Sequence, residues 1–304
     1  MTGTFTGGIT FTGGITFDPP PLGIRAIFGY GNSGSVTSIT NLVSNTGVVA
    51  TDTAGVGTAR FWLAAAGYGT DKAIFGYGSG ATSITNKVSS AGVVANDTAG
   101  VGTARNALAA AGYGTDKAIF GYGYGSSLTS ITNLVSNTGV VANDTAGVGT
   151  ARESLSATGY GGDKAIFGYG VDSGYVSMTN LVSNTGVVAN DVTGVGTARY
   201  SLAAAGYGSS GQAIFGYGNN GSNLSITNLV SNTGVVASNT TGVGTARYGL
   251  AAAGYSTDKA IFGYGYTGSV TAITNLVSNT GTVATDTTGV GTARYYLAAA
   301  SYGS

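Results

Sequence analysis

Six arginines occupy one recurring position: Arg60, Arg105, Arg152, Arg199, Arg247 and Arg294 each close a Gly-Thr-Ala-Arg motif. Gathered on one face, six guanidiniums could hold a phosphate, a sulfate or an acidic sugar through forked hydrogen bonds. A structural use competes with that one. An Asp stands eight positions ahead of five of them (Asp52, Asp97, Asp144, Asp191 and Asp286), so an ion pair or a tie to backbone carbonyls, within a copy or between copies, accounts for both residues. Asn239 replaces the Asp in the fifth copy while Arg247 remains, which favours carbonyl bonds there.

Catalytic chemistry is short of reagents. The chain has no His and no Cys, so acid–base and nucleophilic work would fall to Asp, Glu, Lys, Tyr or Ser, converging in an asymmetric pocket. No thiolate or imidazole is offered to a metal, and no metal or cofactor is expected. Most charges recur once per copy; those that break the repeat are Asp18, Arg25, Lys87, Glu153 and Asp172. Glu153 and Asp172 are the one acidic pair of these within a copy, and a carboxylate pair at the right separation serves glycoside hydrolysis. Solvated, isolated side chains are the simpler reading, and the chain reads as a non-enzyme.

Lys plus Arg equal Asp plus Glu at 12 each, in no runs. The electrostatic footprint that nucleic acid or an anionic membrane requires is therefore missing. No stretch is apolar for long enough to span a bilayer, and the amino terminus lacks the pattern of a secretory signal. The expected setting is a virion or extracellular surface assembly whose protein is synthesised in the cytoplasm.

These residues are carried by repeats. Ala-Ile-Phe-Gly-Tyr-Gly begins at Ala26, Ala73, Ala118, Ala165, Ala213 and Ala260. A period in the forties with several short strand-like runs is the signature of propeller blades. The second copy reads as four strands, over 63–68, 72–77, 82–88 and 92–97, and Asn45-Thr46-Gly47 reads as a tight hairpin turn. The Leu-Ala-Ala-Ala-Gly run suits an innermost strand crowded around a channel. The alternative, a helix start, is opposed by the Gly that follows within four residues. The copies begin with a second strand at Ile24 and end with a spare first strand at Tyr302, so 297–302 can pair with 26–30 and leave no open edge. The expectation is an all-β, six-bladed β-propeller of four-stranded blades over 24–304, closed by the carboxy-terminal strand.

The order of a Thr-Ala-Arg turn, a small-residue strand and an Ile-Phe-Gly strand, as from Gly102-Thr103-Ala104-Arg105 to Ile119-Phe120-Gly121-Tyr122-Gly123, resembles the kelch-type propeller repeat. The resemblance covers 24–304 and implies closure by an innermost carboxy-terminal strand. It departs from the family where Tyr77, Tyr122 and their equivalents interrupt the glycine pair, and where the family's later Tyr and Trp are missing. Oxidases with a kelch-like propeller use His and a Cys-linked Tyr at copper, which this chain lacks. The Gly, Thr, Ser, Asn and Ala-rich near-identical copies also look like structural proteins of bacteriophage particles.

Twelve of the nineteen tyrosines repeat, which implies packing. The irregular aromatics Phe61, Trp62, Tyr124, Tyr175, Tyr200, Tyr248, Tyr266, Tyr295 and Tyr296 stand at turns or strand entries, as ordinary decoration or as a carbohydrate or protein contact surface. Residues 1–23 form a separate arm. Phe5, Ile9, Phe11, Ile15 and Phe17 alternate with Thr, the pattern of a half-buried strand, ahead of a stiff Asp18-Pro19-Pro20-Pro21 spacer. Such a strand either packs on the propeller's side or joins a protein partner or copies of itself. The sequence therefore points to a structural or binding module on a larger assembly, plausible as a phage head or tail component anchored by its arm. The runner-up is a lectin-like adhesin that takes a surface glycan on one propeller face.

Overall fold

A computed structural model describes residues 23–303. The arm residues Phe5, Ile9, Phe11, Ile15 and Phe17 lie outside the described residues. Every regular element within them is a β-strand, as expected where β-branched and aromatic residues alternate with Gly, Asn and Ser turn signals.

In chain order the strands are β1 (Arg25–Asn32) and β2 (Val36–Val43), then β3 (Ala64–Tyr68), β4 (Lys72–Gly76) and β5 (Thr85–Val88). They continue with β6 (Ala109–Tyr113), β7 (Lys117–Gly121) and β8 (Thr132–Val135), then β9 (Ser156–Tyr160), β10 (Lys164–Val171) and β11 (Tyr175–Val182). The last are β12 (Ala203–Tyr207), β13 (Gln212–Gly216) and β14 (Thr227–Val230), β15 (Ala251–Tyr255), β16 (Lys259–Tyr266) and β17 (Val270–Val277), and β18 (Ala298–Tyr302). They form six three-stranded antiparallel sheets. Five are consecutive triples, and the sixth joins the two ends of the chain in the order β18-β1-β2. There Arg25 lies opposite Tyr302 and Gly29 opposite Ala298. The inner strands touch in a cycle, β3 to β6, β9, β12, β15, β18 and back to β3. The arrangement is consistent with a six-bladed propeller.

The expected fourth strand is not a strand. The turn at Asn45-Thr46-Gly47 forms, with Gly47 N donating to Ser44 O at 3.0 Å, but the returning chain makes only isolated bridges, Val43 to Val49 and Thr40 to Thr53. Between those bridges the Asn41 side-chain amide donates to Ala50 O at 3.0 Å and to Asp52 Oδ1 at 2.8 Å. A side chain has taken the place of the backbone ladder, and the same substitution recurs at Asn86, Asn133, Asn180, Asn228 and Asn275.

Six buried apolar clusters each draw on two neighbouring sheets. The middle-strand Ala-Ile-Phe is fully buried in every copy. Its Phe ring lies on the Gly of the sheet before: a methyl placed on Gly76 would stand 2.7 Å from Phe120 Cζ, and Gly263 meets Phe28 in the same way, so this contact also runs around the whole ring.

Candidate functional site

The arginines point inward. All six are 0–1% exposed. In the third sheet Arg105 Nε donates to Tyr122 O at 2.8 Å, Nη1 to Thr103 O at 3.0 Å and Nη2 to Asn133 Oδ1 at 2.8 Å. Its guanidinium lies over the ring of Tyr77, in the preceding sheet, at 4.4 Å. The set recurs in the other copies, except that Arg294 Nη2 and Asn41 Oδ1 stay unpartnered at the sheet that joins the chain's two ends. Five cations are thus satisfied by carbonyls, amides and aromatic faces within the molecule, and Arg294 by carbonyls and an aromatic face alone; all six stand between sheets, where the sequence alone also allowed a ligand ring.

The tyrosine in each stack adopts a conformation that L residues avoid. Tyr30, Tyr77, Tyr122, Tyr169, Tyr217 and Tyr264 have φ of 63–65°, and in β1 the register shifts between Gly29 and Gly31 on either side of Tyr30. The bulge turns the ring into the contact between sheets, and the hydroxyl donates to the backbone of the connection ahead, Tyr77 to Val101 O at 3.1 Å. Burial pushes the Tyr122 hydroxyl up to about 12, against the opposing pull of Arg152.

The Asp serves between copies, one of the two arrangements that the spacing left open. Asp97 precedes Arg105 by eight residues but accepts from Thr58 N and Oγ1, in the turn that leads to Arg60. The turn of Arg105 is held by Asp144, which accepts from Thr103 N at 3.0 Å and from Asn133 Nδ2 at 2.8 Å. An Arg–Asp approach among these occurs at Arg152 and Asp191, at 4.0 Å. Asn239 keeps the clasp by reversing one bond: its Oδ1 accepts from Thr197 N at 3.1 Å while its Nδ2 donates to Thr197 Oγ1 at 2.7 Å.

Two further cycles of backbone hydrogen bonds encircle the axis. At one mouth Trp62 N donates to Tyr296 O, Tyr296 to Gly249, Gly249 to Ser201, Ser201 to Ser154, Ser154 to Ala107 and Ala107 to Trp62, at 2.7–3.0 Å. At the other, Gly69 donates to Asp116 O, Gly114 to Asp163 O, and the series continues to Gly303 and Asp71 O. Between them a cavity of about 270 Å³ lies among the small residues of the six inner strands. The second mouth opens to about 340 Å³ and carries Lys72, Lys117, Lys164 and Lys259, each bonded to the Asp beside it.

The first mouth is where the copies differ. The residue after each Arg is Phe61, Asn106, Glu153, Tyr200, Tyr248 or Tyr295, and the next is Trp62, Ala107, Ser154, Ser201, Gly249 or Tyr296. Opposite the first position stand Tyr124, Val171, Asn219, Tyr266 and Asn32 in bridges to Asn106, Glu153, Tyr200, Tyr248 and Tyr295. Eight rings link into one arc. Tyr175 stacks on Tyr200 at 5.3 Å and 15°, and Tyr200 leads to Tyr248 at 6.3 Å. Tyr248 reaches Tyr266 at 5.5 Å and Tyr296 at 6.0 Å, Tyr295 joins at 4.5 Å, and Trp62 and Phe61 close the series at 5.0 and 4.7 Å. Burial, with the neighbouring Tyr248 adding to it, pushes the Tyr296 hydroxyl up.

Glu153 stands at the end of this arc. It bridges to Val171, which is opposite Tyr175 in turn. Its carboxyl is half-buried, and burial pushes its pKa up. Asp172, the residue after the end of β10, accepts from Ser173 N and from Gly174 N as a local turn. Among the described residues no group of three or more Asp or Glu converges as a metal site. Sequence reasoning listed these aromatics together as decoration or a contact surface but did not place them at one mouth; the signal for that was their position, mostly one or two residues after Thr-Ala-Arg.

No protein-family model matches the chain, and no curated protein matches it either.

Proposed function

We propose that the protein is a non-enzymatic binding module of a larger assembly, of the kind found on phage particles, which touches its partner through the aromatic mouth and is anchored by residues 1–23. The observation that supports this reading is a contrast within one ring. Arg, Tyr, Asn, Phe and Gly of the contacts between sheets are repeated in all six copies, whereas the paired positions at one mouth change from copy to copy and collect eight aromatic rings. Packing needs the repetition. It does not need the variation, which makes one face chemically asymmetric on a nearly symmetric support, as a specific contact requires.

The anchoring half of the reading is tested by a chain that starts at Leu22. Every described strand remains in it, so it is expected to keep the β-type circular dichroism and a melting midpoint within about 2 °C of the parent, yet to lose the parent's oligomer or particle association in sedimentation. Retained association, or an unfolded product, overturns the anchoring role.

A further inference from the structure

We infer that the aromatic mouth binds an uncharged, pyranose-based glycan laid along the arc from Tyr175 to Trp62. The inference rests on the binding-module reading and names the class of ligand. Sugar rings present polarised C–H faces, and these are attracted to the negative face of an aromatic ring. The arc supplies rings at successive spacings of 4.5–6.3 Å, with Tyr175 46% exposed and Tyr200, Tyr248, Tyr266 and Tyr295 half-buried. Amides flank them for the hydroxyls: Asn32 and Asn219 are bridged to arc residues, and Asn223 is bridged to Asn219 in turn.

Charge selects within the class. Twelve Lys and Arg exist in the chain, and none serves this mouth. Six Arg are buried between sheets, and four Lys line the opposite mouth. Lys87 Nζ donates to Thr138 O, and Arg25 donates to Ser90 O while lying over Tyr302, which lines the lysine mouth. Glu153 and Asp172 flank the arc, and the cation that Asp172 feels, Arg152, is fully buried and out of a ligand's reach. A phosphate, a sulfate or a sialic acid would meet repulsion here, and a neutral glycan would not.

The centre of this mouth adds polar groups. Trp62, Ser154, Ser201 and Tyr296 line a small cavity there, of about 70 Å³, where, among the described residues, the buried Trp62 Nε1–H makes no well-formed hydrogen bond and has only the Tyr296 hydroxyl near it. A poorly met buried donor is costly, and a sugar oxygen entering the mouth is a better acceptor for it.

Titration of the full-length protein with cellohexaose, mannohexaose and chitohexaose tests the assignment by calorimetry and by the emission of Trp62, the one tryptophan. At least one hexasaccharide is expected to saturate, to shift the Trp62 emission and to bind with an affinity that salt leaves unchanged. Tyr200→Ala and Tyr248→Ala are expected to weaken it about tenfold or more without moving the melting midpoint, and Tyr124→Ala, off the arc, to leave it as it was. Failure of all three probes, tighter binding of their sulfated forms, or equal binding by the Tyr200 and Tyr248 variants overturns the glycan. If no sugar binds while Tyr248→Ala still abolishes capture of the native assembly's partner, the mouth contacts protein, and the binding-module reading survives the loss of this one.

Discussion

At the scale of residues, the molecule solves the problem of burying a cation six times over. Desolvating a guanidinium costs several kcal/mol unless its donors and its charge are met, and here the Tyr ring and the Tyr and Thr carbonyls meet them in all six copies, joined by the Asn side chain in every copy but that of Arg294. The carboxylate of the clasp stays at the rim and holds the turn that presents the arginine. Its titration follows. Burial pushes the Asp52, Asp97, Asp144, Asp191 and Asp286 carboxyls up, but hydrogen bonds from Thr and Asn outweigh it, and the folded values fall below the ordinary 3.8. A depressed folded pKa contributes stability that is complete above the unfolded value and is lost as pH falls through the folded one. Urea midpoints are therefore expected to be flat from about pH 8 to about pH 5 and to drop below about pH 4. Changing all five Asp to Asn, the arrangement Asn239 already uses, is expected to flatten that acid limb. An unchanged slope in the five-fold variant sinks the assignment. The arginine's burial fits the structural use that its repetition favoured, while the choice between an acid of the same copy and one of a neighbour stayed open, because the clasp crosses from one copy's turn to the next Asp along the chain, a contact that spacing cannot show.

At the scale of elements, the contact between sheets is as repetitive as the clasp. The Gly that follows Ala-Ile-Phe in each middle strand is where the neighbouring Phe ring lies, so this Gly is needed for close approach and not for its backbone angle. Gly121→Ala would place its methyl 2.8 Å from Phe167 Cζ. Overfilling a packed contact costs about 1 to 3 kcal/mol, and Phe167 has no room to retreat, being fully buried against Tyr122 at 5.1 Å. Equilibrium unfolding is expected to show a loss in that range, and Gly121→Ala with Phe167→Leu to recover much of it, since the shorter side chain frees the space. Full stability in the single variant would show that the sheets can slide apart at no cost. Middle and inner strands were legible because their apolar runs leave no other use. The fourth strand was misread because β-branched residues at 93–94 match a strand pattern, while the amide of Asn86 that interrupts the ladder acts from a distant position.

At the scale of the whole molecule, closure was legible from the unmatched strand at each end of the repeats, and the pairing of β18 with β1 is the result. The aromatic arc was not, since its members come from separate copies and meet only when the ring places them side by side. Closure also decides how stability is distributed. The cycles return to the starting sheet at different places: Phe on Gly through β1, where Phe28 meets Gly263, Arg on Tyr through Arg294 and the first mouth through Tyr296, both ahead of β18, and the second mouth through Gly303, just behind it. Removing 297–304 deletes the partner of β1, the Gly303 bond to Asp71 O and the contacts of β18 with both β15 and β3. The free edge of β1 would then offer unpaired N–H and C=O groups to another chain. The truncated protein is expected to melt well below the parent and to associate in sedimentation, and a synthetic peptide of residues 297–304, added in excess, is expected to restore the monomer and raise the midpoint. A peptide that binds N but not U stabilises in proportion to the logarithm of its concentration over its Kd, so the midpoint should climb with peptide concentration. A truncated chain that remains monomeric and melts with the parent would mean that the five consecutive sheets hold without the sixth being complete, and that the ring owes nothing to its closing strand.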